Sequence, residues 1–422
     1  MQSDACTAMY GAAHFTEAEL TRLRGETRAW GRYAHFAHGS ASLPPDAVYA
    51  AWHAWLDTER AAGAHRAAEQ HAAALRSVRA SVARLVGAQA HQIAFFDSAS
   101  RAWSTAVSAA LSGERPVHVV TTHDEYGANA LYLLAAAQRG RLAFSVMSAR
   151  PAEASFLERL DDQLDRIADA AHLPVVSLPV VPTSWGVATP LAGVAQRVHA
   201  RGGLLLLDAS HAVGQLPVDM RALDCDMLVF PARKWLRGPK GLGVLCLSER
   251  ALARLDAPDA VDVAGAQWLT GTCVLPHADA RRFEGSEFHP GLRLALGAAC
   301  DSALSAGPAR IADQNTRVRE STASTLEARL GWQPLEAGHA RATALMTYAL
   351  PEAVGDAEGF VRRLGEAGVN VSLVGTQHAR WALEAAGAGG PLLRLTPHYL
   401  TDDEEIERLV LALEALVPTG SG

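Results

Sequence analysis

The sequence predicts an α/β protein with a large, mostly parallel seven-stranded sheet and a smaller α+β unit towards the C-terminus. Seven short apolar runs alternate with helical stretches between residues 92 and 247. Continuous apolar strands separated by helices are typical of a parallel sheet that is covered on both faces. From about residue 298 the pattern changes to a long helix, short strands and a closing helix. A chain of 422 residues is long enough for both parts.

The large sheet follows a mainly helical N-terminal region. We expect a leading helix within 15–32, a turn of small residues at 39–42, and a helix that begins near Asp46 and continues, with a break near Gly63, to about Leu85. The predicted strands of the sheet are 92–96, 116–122, 141–147, 173–181, 202–208, 226–230 and 243–247.

The smaller unit has its own pattern of helices and strands. Its predicted elements are a helix at 310–330, strands within 342–350, 369–374 and 392–399, and a closing helix at 402–417 with an acidic first turn. We therefore divide the chain into an N-terminal segment, 1–45, which packs with the small domain, a large domain, 46–297, and a small domain, 298–422.

Composition excludes several classes of partner. The net charge of -7 argues against nucleic acid and against a basic membrane-binding face. We find no apolar run long enough to span a membrane, and residues 1–15 do not resemble a signal peptide. The five cysteines are scattered without metal-ligand spacing, which favours the cytoplasm and predicts no metal site.

Lysine is almost absent from this chain, and its placement is the first indication of chemistry. Lys234 and Lys240 are the only lysines among 38 lysine and arginine residues. Arginine can serve most structural roles of a cation, but only lysine provides an amine that loses its proton and bonds to a carbonyl. Lys240, in a glycine-rich turn, is expected at the surface or on the phosphate side of a site.

An acid and an amine follow two neighbouring predicted strands. Asp208 ends the run LLLLD, and Lys234 lies 26 positions further along. Asp208 alone is equally compatible with a helix cap and with a ligand group. Ligands of open α/β sheets bind beyond the carboxyl ends of strands, so both side chains are expected at one edge. The pair suits pyridoxal 5'-phosphate (PLP), since an aspartate keeps the pyridine nitrogen protonated and a lysine bonds to the aldehyde. The freed lysine amine then serves as a general base at Cα.

The stretch DASHAVGQLPVD…FPARKWLRGPKGLGVL resembles the signature of class V, fold-type I PLP enzymes, the superfamily of aminotransferases and cysteine desulfurases. Further matching stretches follow one another in the expected order: FFDSASRAW at 95–103, HDEYGAN at 123–129, VVPTSWGVATP at 180–190, RRFEGSE at 281–287 and LLRLTPHYLTDDEEI at 392–406. The resemblance covers nearly the whole chain. It implies PLP as cofactor, a small-molecule amino-acid substrate, and a homodimer with active sites at the interface.

The resemblance also assigns cofactor contacts. Asp208 corresponds to the partner of the pyridine nitrogen, Lys234 to the lysine that bonds to PLP, and His211 to a residue at its phenolic oxygen. Tyr126 takes the position of a histidine that stacks on the ring in desulfurases, and Thr183 that of a polar residue near the phenolic oxygen. The remaining assignments are the phosphate contacts Ala99, Ser100 and Arg233, the last of which replaces a histidine of the desulfurases.

Substrate contacts are expected from the small domain and from the N-terminal turn. Arg394 corresponds to the arginine that clamps an α-carboxylate, and Ser40 is a second candidate for substrate binding. The RRFEGSE segment is expected to reach the cofactor phosphate of the partner subunit, with Arg282, Ser286 and Glu287 as candidate contacts.

One missing residue narrows the reaction. Desulfurases carry a nucleophilic cysteine ahead of the carboxylate-binding arginine, and residues 369–393 contain no cysteine. This region resembles a subfamily that includes hercynylcysteine sulfoxide lyase and PLP enzymes of lincosamide pathways. Our leading hypothesis is a C–S β-lyase that acts on an S-conjugated L-cysteine in thiol or antibiotic metabolism.

Other hypotheses remain open at this point. Decarboxylation-coupled oxidative deamination, transamination and epimerisation all suit the same fold. A non-catalytic regulator or scaffold is the alternative from another class, although no basic segment that would bind DNA precedes residue 40. Absorbance of the cofactor, and its loss in Lys234→Ala, would separate the two classes.

Overall fold

The computed structural model describes residues 14–148, 153–258, 261–388 and 390–417. The helices are α1 (Glu17–Gly25), α2 (Asp46–Ala62), α3 (Ala64–Gln70), α4 (Ala72–Val86), α5 (Ala99–Leu111), α6 (Gly127–Gln138), α7 (Glu153–Asp169), α8 (Val194–Ala200), α9 (Glu249–Arg254), α10 (Pro290–Ala306), α11 (Pro308–Leu330), α12 (Ala357–Glu366), α13 (Thr376–Ala385) and α14 (Asp403–Leu416). The strands are β1 (Ala34–His35), β2 (Ile93–Phe96), β3 (Val117–Thr122), β4 (Ala143–Met147), β5 (Leu173–Pro179), β6 (Leu204–Asp208), β7 (Met227–Pro231), β8 (Gly243–Leu247), β9 (Ala266–Thr270), β10 (Cys273–Pro276), β11 (Met346–Ala349), β12 (Val369–Asn370), β13 (Ser372–Val374) and β14 (Leu392–Leu395).

The central sheet contains seven strands in the order β2-β8-β7-β6-β5-β3-β4. Strands β7, β6, β5, β3 and β4 are mutually parallel, whereas β8 runs antiparallel to both β7 and β2. Each of these strands lies within one of the apolar runs that predicted the sheet, except that β7 extends one residue further, to Pro231. The predicted large, mostly parallel sheet is therefore confirmed.

The sheet is buried on both faces, which explains why its strands are apolar throughout. In β6, Leu205 and Leu207 pack into a core with helices α2, α4, α7 and α10. Leu204 and Leu206 point the other way, into a core that includes residues of α5, α6 and α9. All four leucines are fully buried. At about 2 kcal/mol for each buried leucine, this strand is anchored firmly at the centre of the sheet.

The predicted α+β unit is built around the antiparallel sheet β11-β14-β13. Helices α11, α12 and α14 cover it, and the N-terminal segment completes it, because β1 pairs in parallel with β12. Phe36, next to β1, is fully buried in the same core. The strands predicted within 342–350, 369–374 and 392–399 and the closing helix are confirmed.

Two boundaries differ from simple expectation. The leading helix ends at Gly25, short of the predicted 15–32, and Glu26 caps its last carbonyls while Thr27 takes part in contacts with the large domain. Helix α10 continues through residue 298 and packs on α2 and α4. The domain divisions at 45/46 and 297/298 stay predictions. Within the described residues, none of the helices combines the length and apolar character that a membrane crossing requires.

Candidate active site

Five of the residues predicted to contact the cofactor lie at one edge of the central sheet. Asp208 ends β6, and Lys234 follows β7 by three positions. Tyr126 lies in the loop after β3, Thr183 in the loop after β5, and Ala99 after β2. Since the carboxyl ends of these five strands point the same way, the topology gathers residues that are far apart in sequence.

Asp208 is buried and oriented by two N–H donors. The backbone N–H of Ser210 donates to its Oδ1 at 2.9 Å, and the side-chain amide of Asn129 donates to its Oδ2 at 3.2 Å. Because these donors hold the carboxylate in one orientation, it can present a charged acceptor to a protonated ring nitrogen.

Glu125 is a site residue that the sequence analysis missed, although it lies inside the HDEYGAN stretch. Burial, reinforced by the nearby charge of Asp208, raises the pKa of Glu125 to about 7. The amide of Asn129 donates to Glu125 at 2.9 Å as well as to Asp208, so it joins the two carboxyl groups. The other donors to Glu125 are the hydroxyls of Thr121 and Ser177 and the backbone N–H of Tyr126.

Lys234 is buried among groups that favour its uncharged form. Burial lowers the pKa of Lys234 to about 7; the charges of Arg233 and Arg394 lower it further, while Asp208 opposes them. Its Nζ lies 3.1 Å from Nε2 of His211 and 5.7 Å from the centre of the Tyr126 ring. A substantial fraction of the amine is therefore available as a nucleophile and base near neutral pH.

His211 bridges Lys234 and a tryptophan that the sequence analysis did not single out. Burial lowers the pKa of His211 well below its ordinary value, and the charge of Lys234 adds to the effect. The indole Nε1–H of Trp235 donates to Nδ1 of His211 at 3.2 Å. The position of Trp235 directly after Lys234 was the signal that could have drawn attention to it.

Arg394 forms a buried cationic group held by neutral oxygens. It donates to the hydroxyls of Ser40 at 2.7 Å, Thr183 at 2.5 Å and Ser372 at 3.2 Å. Burial lowers the pKa of Arg394 to about 10. In the part of the chain that the structure describes, no carboxylate lies within ion-pair distance of this guanidinium. The geometry leaves it able to bind the carboxylate of a small molecule.

Thr183 and Arg233 have contacts that the resemblance did not predict. Thr183 accepts from Arg394 through both its hydroxyl and its carbonyl, so it orients the arginine. The guanidinium of Arg233 donates to the backbone carbonyl of Ser40. Their contacts with the phenolic oxygen and the phosphate of PLP stay predictions.

The expected phosphate cradle lies at the N-terminus of α5. Ser98 caps this helix by accepting from the N–H of Arg101 at 3.3 Å, and Ala99 and Ser100 form its first turn, where amides lack intrahelical acceptors. Gly243 packs tightly here, since a Cβ at that position would lie 2.4 Å from the nitrogen of Ala99. The helix N-terminus, the oriented aspartate, the aromatic ring and the buried amine together fit PLP.

His378, which the sequence analysis also missed, stacks on Tyr126. The two rings stack with centres 6.3 Å apart. Burial, and then the charges of Arg394 and Lys234, lower the pKa of His378. Gly127 permits this approach, because a Cβ on it would lie 2.0 Å from the carbonyl oxygen of Gln377. The only sequence signal was its location within 369–393, where desulfurases carry their cysteine.

In the RRFEGSE segment, which was expected to reach a partner subunit, two side chains make hydrogen bonds within their own chain. Arg282 is buried and donates to the carbonyls of Leu252, Leu255 and Ala278. Ser286 hydrogen-bonds Asp262. The predicted contacts of Arg282, Ser286 and Glu287 with a partner's phosphate stay predictions.

Residues 35–409 match the family described as aminotransferase class-V. The chain belongs to the class-V aminotransferase family. A curated relative, a probable hercynylcysteine sulfoxide lyase of Mycobacterium tuberculosis, is 28% identical over 383 residues, which span 88% of this chain and 87% of the relative. Isopenicillin N epimerase of Streptomyces clavuligerus is 28% identical over 392 residues, 85% of this chain and 90% of the epimerase.

The class-V aminotransferase fold is also evident from solved structures. The apo structure of cysteine desulfurase from Thermococcus onnurineus NA1 has a TM-score of 0.82 at 19% identity and covers 96% of this chain and 99% of its own. The prediction of a fold-type I architecture is thereby confirmed. This member of the class-V aminotransferase family is an enzyme whose cofactor is PLP, as the sequence predicted.

Proposed function

We propose that this protein is a PLP-dependent C–S β-lyase that converts an S-conjugated L-cysteine into a thiol, pyruvate and ammonia, in thiol or antibiotic metabolism. The observation that carries the proposal is the content of the segment before Arg394. Residues 369–393 offer no cysteine to accept sulfur, and they place His378 on the ring of Tyr126. The relative described as a probable sulfoxide lyase supports the same reaction class.

The residues of the site suit recognition of an α-amino acid. Arg394, with Ser40 beside it, would bind the α-carboxylate through two parallel hydrogen bonds. This contact would hold the substrate in one orientation close to Lys234. The three hydroxyls around Arg394 are uncharged, so they hold the buried guanidinium without neutralising the charge that would attract a carboxylate.

Proton movements in the proposed reaction use two side chains. When bound, PLP supplies the ring that accepts electron density from Cα. The uncharged amine of Lys234 takes the proton from Cα, and the Cβ–S bond breaks with its electron pair on sulfur as the Cα–Cβ double bond forms. The protonated form of His378, which is the minor form at neutral pH because the pKa of His378 is lowered, gives a proton to the departing sulfur. Water then converts the resulting aminoacrylate into pyruvate and ammonia.

The test uses purified enzyme reconstituted with PLP and a panel of S-alkyl and S-aryl L-cysteines and their sulfoxides. Pyruvate and the sulfur product should appear in equal amounts, and Lys234→Ala should abolish both while Lys240→Ala retains them. Transfer of the amino group to an added keto acid would replace the proposal with an aminotransferase. Oxygen uptake with CO2 release would indicate decarboxylative oxidation, and an isomerised substrate would indicate an epimerase.

We also propose that the enzyme acts in the cytoplasm as a homodimer. The hairpin β9–β10 is paired antiparallel, and it exposes large apolar side chains, among them Trp268 at 80%, Leu269 at 52% and Val274 at 54%. Exposed apolar patches of this kind are typical of protein interfaces. A second copy of the chain is the occupant we propose for this surface.

A further inference from the structure

Trp235 reaches Lys234 indirectly, through the two nitrogen atoms of one imidazole ring. Its indole Nε1–H donates to Nδ1 of His211 at 3.2 Å, and Nε2 of the same ring lies 3.1 Å from Nζ of Lys234. All three side chains are buried, with Trp235 exposed by only 1%. The three groups therefore form a chain of hydrogen bonds that ends at the reactive amine.

The chemistry of indole fixes the direction of every bond in this chain. An indole nitrogen can only donate, so Nδ1 of His211 must present a lone pair. Burial and nearby cations lower the pKa of His211 well below its ordinary value, so the ring is neutral and carries its single proton on Nε2. That proton points at Nζ of Lys234, and only an uncharged amine has a lone pair to accept it.

We propose that Trp235 is a positioning residue that fixes the tautomer of His211 and thereby holds Lys234 in the uncharged form that bonds to PLP. Without the indole donor, the ring could move its proton to Nδ1. Its Nε2 would then accept from a charged ammonium and stabilise it. The identity of one distant donor thus selects between two charge states of the lysine.

The orientation of Trp235 is itself set by the small domain and the N-terminal segment. Nε2 of His398 hydrogen-bonds the carbonyl of Trp235 at 3.0 Å, and the two rings stack with centres 5.9 Å apart. His38 also stacks on His398, with ring centres 4.7 Å apart. Gly214 lets the chain pass closely to Trp235, because a Cβ on Gly214 would lie 2.4 Å from the carbonyl carbon of Trp235.

Other groups near Lys234 also influence its charge state, and their influence does not depend on the indole of Trp235. Arg233 and Arg394 disfavour a charged lysine, and Asp208 favours it. Two further neighbours are the ring of Tyr126, on the loop before α6, and His378 on α13, whose pKa is lowered in part by Lys234. A variant that changes only Trp235 leaves these contributions in place, so its effect isolates the tautomer.

The test measures the charge state of Lys234 directly, in the apoenzyme. Trace acetic anhydride labels uncharged amines, and a chain with only two lysines yields two lysine-containing products for mass spectrometry. Labelling between pH 5 and 10, on a roughly unit-spaced series, should show the pKa of Lys234 about one unit higher in Trp235→Phe. Labelling of Lys240, which is exposed, should be the same in both proteins, and Trp381→Phe is the matched tryptophan control.

Two further variants keep the proposal falsifiable if Trp235→Phe folds poorly. In His211→Gln the amide oxygen can accept from Trp235 while its N–H group donates to Lys234, so the pKa of Lys234 should stay near the wild-type value. In a His211→Leu background, Trp235→Phe should produce no additional shift. A raised lysine pKa in His211→Gln, or an undiminished shift in His211→Leu, would overturn the proposal.

Cofactor binding provides an independent readout. Mixing apoenzyme with PLP at pH 6.5 or thereabouts should give the visible absorbance of the bound cofactor about tenfold more slowly in Trp235→Phe, because tenfold less amine is uncharged below its pKa. The difference should vanish above pH 9 or so, where the amine is uncharged in both proteins. Equal rates at low pH, in a folded variant, would contradict the proposed role.

Discussion

The side-chain amide of Asn129 donates to Asp208 at 3.2 Å, and the same amide nitrogen donates to Glu125 at 2.9 Å. One amide thus orients the aspartate expected to face the cofactor and holds a second carboxyl group behind it. We expect Asn129→Ala to weaken PLP affinity by about tenfold, because Asp208 loses one of its two orienting donors. Fluorescence titration of the apoenzyme with PLP measures this loss, and Asn370→Ala, at an asparagine whose side chain hydrogen-bonds His35, should retain affinity. Unchanged affinity with a lowered melting temperature would show that Asn129 serves stability alone.

Arg394 should determine how tightly an amino acid binds. Arg394→Lys loses the planar pair of donors, and we expect kcat/KM to fall by about 100-fold, mainly through KM. Steady-state kinetics are measured with an S-substituted cysteine and with its α-carboxamide. The carboxamide has no carboxylate for the arginine to bind, so Arg394→Lys should lower its kcat/KM only slightly. Arg380→Lys, at an exposed ion pair on α13, is the matched control. A large fall in kcat at unchanged KM would contradict carboxylate binding.

The contribution of His378 to the rate should be largest for substrates whose thiolate is a poor leaving group. We expect His378→Gln to slow S-alkyl cysteines by about 100-fold and S-aryl cysteines with acidic thiols by only a fewfold, since weakly basic thiolates need no proton. The measurement is the dependence of kcat on thiol pKa across a substrate series. His339→Gln, at a histidine that packs on Trp185, serves as the control. A uniform loss across the series would indicate a structural role for His378.

Glu405 should make the protein less stable as the pH rises. Its carboxyl accepts from the backbone N–H of His35 at 3.1 Å, and burial raises the pKa of Glu405 to about 7. Because the folded-state pKa exceeds the ordinary value of 4.5, protonated Glu405 contributes its full stabilisation below pH 4.5, and that contribution is lost as the pH rises through 7. In Glu405→Gln the free energy of unfolding should depend less on pH, by at most about 1.4 kcal/mol per unit in this window.

The free energies of unfolding of Glu405→Gln and of wild type are compared by urea unfolding at roughly evenly spaced pH values between about 4.5 and 8. Glu404→Gln, on the exposed side of α14, should follow the wild-type curve. Parallel curves for Glu405→Gln and wild type would refute the prediction.

The β9–β10 hairpin should be needed for self-association. Trp268→Asp places a charge in the proposed interface, and we expect it to weaken dimerisation by at least about 2 kcal/mol. Sedimentation equilibrium measures the change in mass, and Leu411→Asp on the exposed face of α14 is the control. A variant that remains dimeric would place the interface elsewhere.

Periodicity and position predicted most of the fold. The seven strands of the central sheet were evident because a strand buried on both faces must be apolar throughout, as β6 is. The early end of α1 was not evident from the sequence. Thr27 lies just beyond the helix, where its hydroxyl accepts a hydrogen bond from Arg237, a residue 210 positions away. Such contacts depend on tertiary packing, which helical propensity does not encode.

The site was predicted in part. Lys234 and Asp208 were recognisable as candidates because an amine and an acid follow two neighbouring strands, and Arg394 was recognisable only through the resemblance. Glu125, Asn129 and Trp235 were overlooked because each acts through a neighbour, and a supporting hydrogen bond leaves no periodic trace in a sequence. Thr183 and Arg233 also have partners within the folded chain, Arg394 and the carbonyl of Ser40, that the resemblance did not suggest.

The pairing of β1 with β12 has a consequence for biosynthesis. Ala34 leaves the ribosome early, but its partner Val369 is made near the end of the chain. At about 5–20 residues per second, the N-terminal segment waits roughly 20–70 s for that partner. The central sheet can form during this interval, whereas the contact of Ser40 with Arg394 cannot. A ribosome-bound chain would therefore acquire its cofactor cradle before its substrate-binding wall, and Phe36 would need shielding from aggregation until translation ends.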